Sequence, residues 1–196
     1  MTAPREWSAA PPEMREHIAL LVAAGFDAPD DIVESAVDIV EEEENQEVMR
    51  EHARRLVTEA LARHHREQAT WPSVTDCDRL DQAFENLEKH EIVSRQNFSD
   101  CGSCGVAEIA SEMEEVRQRG SPVRGYTFYH MQDTESAAAG AGLYLNYGAW
   151  SGREADSLKI AHEIVAALKA SGLVVEWDGT YEKRIFVRID WKKRRP

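Results

Sequence analysis

Cysteine is scarce in this chain: three residues in 196, at positions 77, 101 and 104. So small and odd a number excludes a disulfide framework and points instead to reduced thiols or a metal site. Long apolar runs are lacking as well. No window approaches ~20 apolar residues without a charge, which excludes a transmembrane helix. The opening Met1-Thr2-Ala3-Pro4-Arg5-Glu6-Trp7 has neither the basic start nor the apolar run of a secretory signal, so a soluble, cytoplasmic protein is expected, with no membrane partner. Basic residues are outnumbered, 23 Lys and Arg against 36 Asp and Glu, for a formal net charge of −13. That balance excludes a general nucleic-acid binder, because phosphate contact needs a basic surface. Internal repeats are absent, and the only biased segment is the short run Glu41-Glu42-Glu43-Glu44.

What is present argues for a packed core. Hydrophobic residues make up 42%, with five each of Trp, Tyr and Phe, far more than a disordered chain carries. The charge is uneven: residues 1 to 70 hold 16 acids and seven bases, whereas Lys183 to Pro196 holds seven bases and Asp190 alone. An acidic head makes a protein-interaction module one reading of residues 1–70. The basic end is expected to be solvated or paired with the chain's own acids.

Periodicity divides the chain. Met14, Ile18, Leu21 and Val22 form one helical face, stopped by Gly25. Pro29, Asp30 and Asp31 suit the start of a second helix carrying Ile32, Val33, Ala36, Val37 and Val40. A third is expected from about Glu47 to Arg66 along Val48, His52, Leu56, Ala60 and His64, with His64 and His65 at the surface. Residues 1–70 thus read as a helical unit, and Thr70-Trp71-Pro72-Ser73 as the joint to an α/β domain over 71–196. There Thr75 and Asp78 make a capping box for a helix with core positions Leu80, Ala83, Phe84 and Leu87. Strands are expected over 92–98, 126–130, 143–147, 173–177 and 184–189, and helices after Cys104, over 133–140 and over 155–170. Tyr144, Tyr147 and Trp150 are expected in the core. The fold class is α+β: a helical N-terminal unit plus a mixed, mainly antiparallel sheet of about four to five strands with packed helices.

Cys101-Gly102-Ser103-Cys104 is the sharpest motif. Thiols three positions apart close a small disulfide ring or supply two zinc ligands, and a helix beginning near Cys104 would lower a thiol pKa. A strand before and a helix after is the setting of thioredoxin-like redox sites, although no aromatic residue precedes Cys101. Zinc needs four ligands, and Cys77, His90, Asp100 and His130 are the complements on offer; Cys101, Cys104, Cys77 and His130 form the preferred set. His130 with Asp133 or Glu135 forms a second candidate group, an acid–base pair that could serve a thiol nucleophile; the alternative has Asp133 or Thr134 capping the next helix and Glu135 in its first turn.

Three segments carry a resemblance: Gln96-Asn97-Phe98-Ser99-Asp100-Cys101-Gly102-Ser103-Cys104-Gly105, Gly125-Tyr126-Thr127-Phe128-Tyr129-His130-Met131-Gln132-Asp133-Thr134-Glu135, and Val175-Glu176-Trp177-Asp178-Gly179. The chain resembles an uncharacterised bacterial domain family of unknown function, most densely from residue 76 onward. The resemblance implies no activity. It implies a Cys-Cys-x-x-Cys cluster, in which Asp100 here stands where a further cysteine belongs. Three expectations follow: a non-enzymatic binding or regulatory protein with a thiol or metal site at the CxxC loop; a thiol-dependent oxidoreductase or hydrolase using Cys101, Cys104 and His130; and an acidic interaction module.

Overall fold

The computed structural model describes residues 10–40 and 45–196; the Glu41–Glu44 run lies outside them. The chain divides into two compact units, one running to Trp71 and taking in Arg194–Pro196, the other Pro72–Lys193. No helix among the described residues is long and apolar enough to cross a membrane.

The first unit is helical: α1 (Pro12–Ala24), α2 (Pro29–Asp38) and α3 (Gln46–Gln68). Pro12 and Pro29 each open a helix, where a missing N–H costs nothing, and Gly25 closes α1 with φ of 88° while donating its N–H to Leu21 O. Met14, Ile18, Ile32, Ala36, Met49 and Ala53 are at the centre of the core. The stripe expected on α3 is corrected. Val48 is exposed, and the buried row runs through Met49, Ala53, Leu56, Val57, Ala60 and His64. Uniform steps of four drift around a 3.6-residue helix, so a row that lies on the buried face at Leu56, Ala60 and His64 is off it at Val48. His64 is likewise buried, its ring edge-on to Trp71 at 5.2 Å, and not at the surface.

The basic end is not a solvated tail. Lys192 pairs with Asp190 and Lys193 with Asp81, within the second unit, whereas Arg195 is buried in the first. Arg195 Nε donates to Val22 O at 2.8 Å, Nη2 to Leu21 O at 2.9 Å and Nη1 to Asp27 O at 2.8 Å. Its guanidinium thereby binds carbonyls at the C-terminal end of α1 and just beyond it, sharing Leu21 O with the Gly25 N–H. Arg195→Ala is expected to destabilise the first unit by about 2 kcal/mol, the range of hydrogen bonds from a charged donor, as measured by denaturant unfolding of the helical signal.

The second unit begins with α4 (Asp76–Lys89), held by the expected capping box: Asp78 N–H donates to Thr75 Oγ1, and Thr75 N–H to Asp78 Oδ2. Then follow β1 (Ile92–Arg95), α5 (Gly102–Gln118), β2 (Gly125–Phe128), α6 (Met131–Ala138), β3 (Leu143–Ala149), α7 (Glu154–Ala170), β4 (Val174–Glu176) and β5 (Ile185–Arg188). The five strands form one mixed sheet in the order β1-β2-β3-β5-β4. Only β1 and β2 are parallel, in the register Ile92 to Gly125 and Arg95 to Phe128. The fold class is therefore α+β, with a mainly antiparallel sheet.

Side chains alternate between the sheet faces. On one face Gly125 lies under Ile160, and Ser157 Oγ accepts the Ala149 N–H, so α7 covers this side; α4 packs against α7 and β1. On the other, Val93 and Phe128 pack with Ile109 and Met113 of α5. A Cβ at Gly105 of α5 would stand 2.5 Å from Phe128 Cε2, whereas one at Gly102 meets only ordinary contacts at 3.7 Å. Gly105→Ala is accordingly expected to cost about 1–3 kcal/mol through overpacking, and Gly102→Ala little; paired chemical denaturation curves check both.

Candidate functional site

Because β1 and β2 run parallel, their C-terminal ends lie at the same edge, and the chain leaves each for a helix. The loop after β1 carries the CxxC motif and the loop after β2 carries His130. Two hydrogen bonds stitch these loops together: Phe98 N–H to Tyr129 O at 2.9 Å, and Met131 N–H to Ser99 O at 3.1 Å. Asn97 and Ser99 adopt left-handed backbone, with φ of 49° and 64°, to make the turn between them. As a result Gly102, between the two cysteines, has its Cβ direction 3.7 Å from both Cδ2 and Nε2 of His130 and 3.9 Å from Asn146 Oδ1. Asn146 Nδ2 is buried with no hydrogen-bond partner among the described residues.

Cys101 is the N-cap of α5. Its Sγ accepts the Cys104 N–H at 3.5 Å, lies 3.3 Å from Ser103 Oγ, and is 3.1 Å from Cys104 Sγ. The Ser103 hydroxyl, the Cys104 amide and the Cys104 thiol stabilise a thiolate at Cys101 and bring its pKa down to about 7. The same contact pushes the Cys104 thiol upward, because a hydrogen bond to and negative charge on Cys101 disfavour a second thiolate, and the charges of Glu108 and Asp100 add to the effect. Cys104 is exposed and Cys101 half-buried; both are free thiols.

His130 is the N-cap of α6, where the strand expected over 126–130 has already ended. Its Nδ1 accepts the Asp133 N–H at 3.2 Å, so the neutral ring carries its proton on Nε2, which lies 3.0 Å from Asp133 Oδ2. Asp133 returns a bond from the His130 N–H, completing a capping box in which histidine takes the usual place of Ser or Thr. Arg184 Nη1, from the residue before β5, grips Asp133 at 3.1 and 2.9 Å. The side chains of His130 and Asp133 are only 9% and 6% exposed. Burial pushes the His130 pKa down; Asp133 opposes this and the Arg184 charge reinforces it. Both ring nitrogens are thus committed, which leaves no lone pair for a metal or for a thiol proton.

The expected groupings fare differently. Cys101 and Cys104 converge, and His130 lies against the residue between them. Cys77 faces the buried side of α4, where its Sγ accepts the Lys192 N–H at 3.3 Å and burial pushes its thiol up to about 12. His90 is at the exposed end of α4 with Nδ1 2.7 Å from Asn86 O. Among the described residues no group of three or more His, Cys, Asp or Glu side chains is placed to hold a metal ion, and Cys77 and His130, the expected complements of Cys101 and Cys104, make the bonds given above. Glu135 lies a turn into α6, its carbonyl accepting the Ala139 N–H. Arg184 went unforeseen, being 51 residues from Asp133 in sequence.

A family model described as a domain of unknown function, DUF6891, matches residues 8–195. The chain belongs to the DUF6891 family. No match to a curated protein or to a solved structure was found. Within this DUF6891 domain the CxxC loop and the histidine cap form one connected group, joined by backbone hydrogen bonds, with Gly102 facing the imidazole.

The depressed His130 pKa has a definite sign. In the unfolded chain the ring protonates near its ordinary 6.5, whereas the folded site resists protonation, so stability present above that pH is lost as the pH falls below it. The folded domain is expected to lose stability below about pH 6.5. His130→Asn, which keeps a capping acceptor, is expected to remove that component. Denaturant midpoints measured from pH 8 to 5 check it.

Proposed function

We propose that this domain is a thiol-based binding or regulatory protein, whose working group is the dithiol of Cys101 and Cys104. The observation that supports the reading best is the convergence of Ser103 Oγ, the Cys104 amide and the Cys104 thiol on one sulfur. A helix N-terminus favours the thiolate further through its dipole. Cys101 attacks a sulfur of a partner disulfide; that S–S bond breaks, its electron pair leaves on the partner's other sulfur, and a mixed disulfide forms. Cys104 then loses its proton to solvent and attacks Cys101 Sγ, releasing the partner as a thiolate. The domain gains the Cys101–Cys104 disulfide and the partner gains two electrons. The sulfurs at 3.1 Å need to approach by about 1 Å to bond.

His130 serves this group by packing and capping, not as its base, since both ring nitrogens are engaged. The hydrolase version, which needs that base, loses support accordingly. Rates of alkylation resolved by residue test the proposal. Cys101 is expected to react first, with a half-maximal rate near pH 7, Cys104 only at higher pH, and Cys77 not until the domain unfolds. Equal rates for Cys101 and Cys104, rising together near the ordinary thiol pKa of about 8.5, would contradict it.

A further inference from the structure

The sheet face that carries Phe128 is covered by α5 over β1 and β2, and then changes character. Residues directly opposite in adjacent strands share a face, and the register runs Phe128 to Asn146, Tyr144 to Phe186, Phe186 to Glu176 and Arg188 to Val174. Tyr144, Phe186 and Val174 therefore project from the same face as Phe128, beyond the reach of α5. Tyr144 is 43% exposed and Val174 57%, the reverse of the core position expected for Tyr144. The Tyr144 and Phe186 rings lie 4.9 Å apart, and the Arg184 guanidinium sits 4.8 Å over Tyr144. This platform adjoins the thiol loop. Gly102 stands over His130 and Asn146, and Arg184 Nη1 is 3.4 Å from the same His130 Nε2.

Resting on the thiol reading above, we infer that the Tyr144–Phe186 platform receives a segment of a partner protein whose cysteine, flanked by apolar side chains, reacts at Cys101. Charge selects this occupant over a small anionic thiol. Arg184 is already matched by Asp133 and Arg188 by Glu176, so among the described residues on this face the rings and Val174 stand beside cations that already have acidic partners. An exposed ring at Tyr144 backed by a half-buried one at Phe186 on a strand pair supplies contact area at small entropic cost, as the anchors of protein interfaces do. The platform holds the segment; Cys101 performs the exchange already described.

The test uses the full chain with Cys104→Ser, so that reaction stops at the mixed disulfide. Two probes carry the same aryl thiolate leaving group: a short peptide with its cysteine between leucine and phenylalanine, and a cysteine capped at both ends. The flanked peptide is expected to react about tenfold faster or more. Tyr144→Ser and, separately, Val174→Asp should bring that rate down to the capped cysteine's while leaving the capped cysteine's own rate within about twofold, and Tyr144→Phe should keep the advantage. Equal rates for both probes on the unmodified platform, or equal slowing of both by the substitutions, would overturn the docking inference alone. Failure of Cys101 to react with the capped cysteine faster than an unfolded control would overturn the thiol reading and the inference with it. Concentration-dependent self-association abolished by Val174→Asp would assign the face to a second copy, and would equally overturn a heterologous partner.

Discussion

The first-turn amides of α5 and α6 need acceptors, and the chain supplies a thiol for one and an imidazole for the other. Every feature of the site follows from that pair of caps. An N-cap acceptor is held within reach of the N3 amide, so Cys101 Sγ is fixed beside Cys104 and Ser103, and the donors that complete the cap also stabilise its thiolate. The same geometry at His130 fixes the tautomer through Nδ1 and turns Nε2 toward Asp133. One cap is left with a nucleophile at partial exposure; the other is sealed and neutral.

The two caps are neighbours because β1 and β2 are parallel. A crossover through α5 returns the chain to the same end of the sheet, where α/β proteins place their functional loops. Gly105 permits α5 to press on Phe128, and the first turn of the helix begins at Gly102 beside the His130 ring. Arg184 closes the arrangement from β5 by neutralising Asp133 in a nearly dry setting, where an unpaired carboxylate would be costly. Cys77, 24 residues earlier, shares none of this. It packs as a small apolar group, with Sγ accepting a backbone N–H.

Local signals were legible in the sequence, and pairings at long range were not. The capping box at Thr75 and Asp78, the proline opening α2, and the CxxC turn before a helix each depend on residues within one turn of one another, and the structure has them. His130 as a cap was obscured because imidazole is outside the usual set of capping side chains. Strand direction leaves no mark in a four-residue run, so the parallel pairing that unites the two loops emerges only in three dimensions. Arg195 looked like part of a charged tail, yet its partners are backbone carbonyls, which no sequence pattern advertises. Tyr144 read as core on its aromatic character, but it projects from the sheet face beyond α5 and is exposed.

The central claim is that the fold segregates three thiols into a reactive pair and an inert single. Equilibrating the native chain in thiol–disulfide buffers of graded potential, then trapping and mapping the thiols by mass, tests this most directly. A single two-electron transition that joins Cys101 to Cys104 is expected, with Cys77 reduced throughout. A chain in which Cys101 and Cys104 remain reduced across the whole range, or in which Cys77 enters the disulfide, would contradict it.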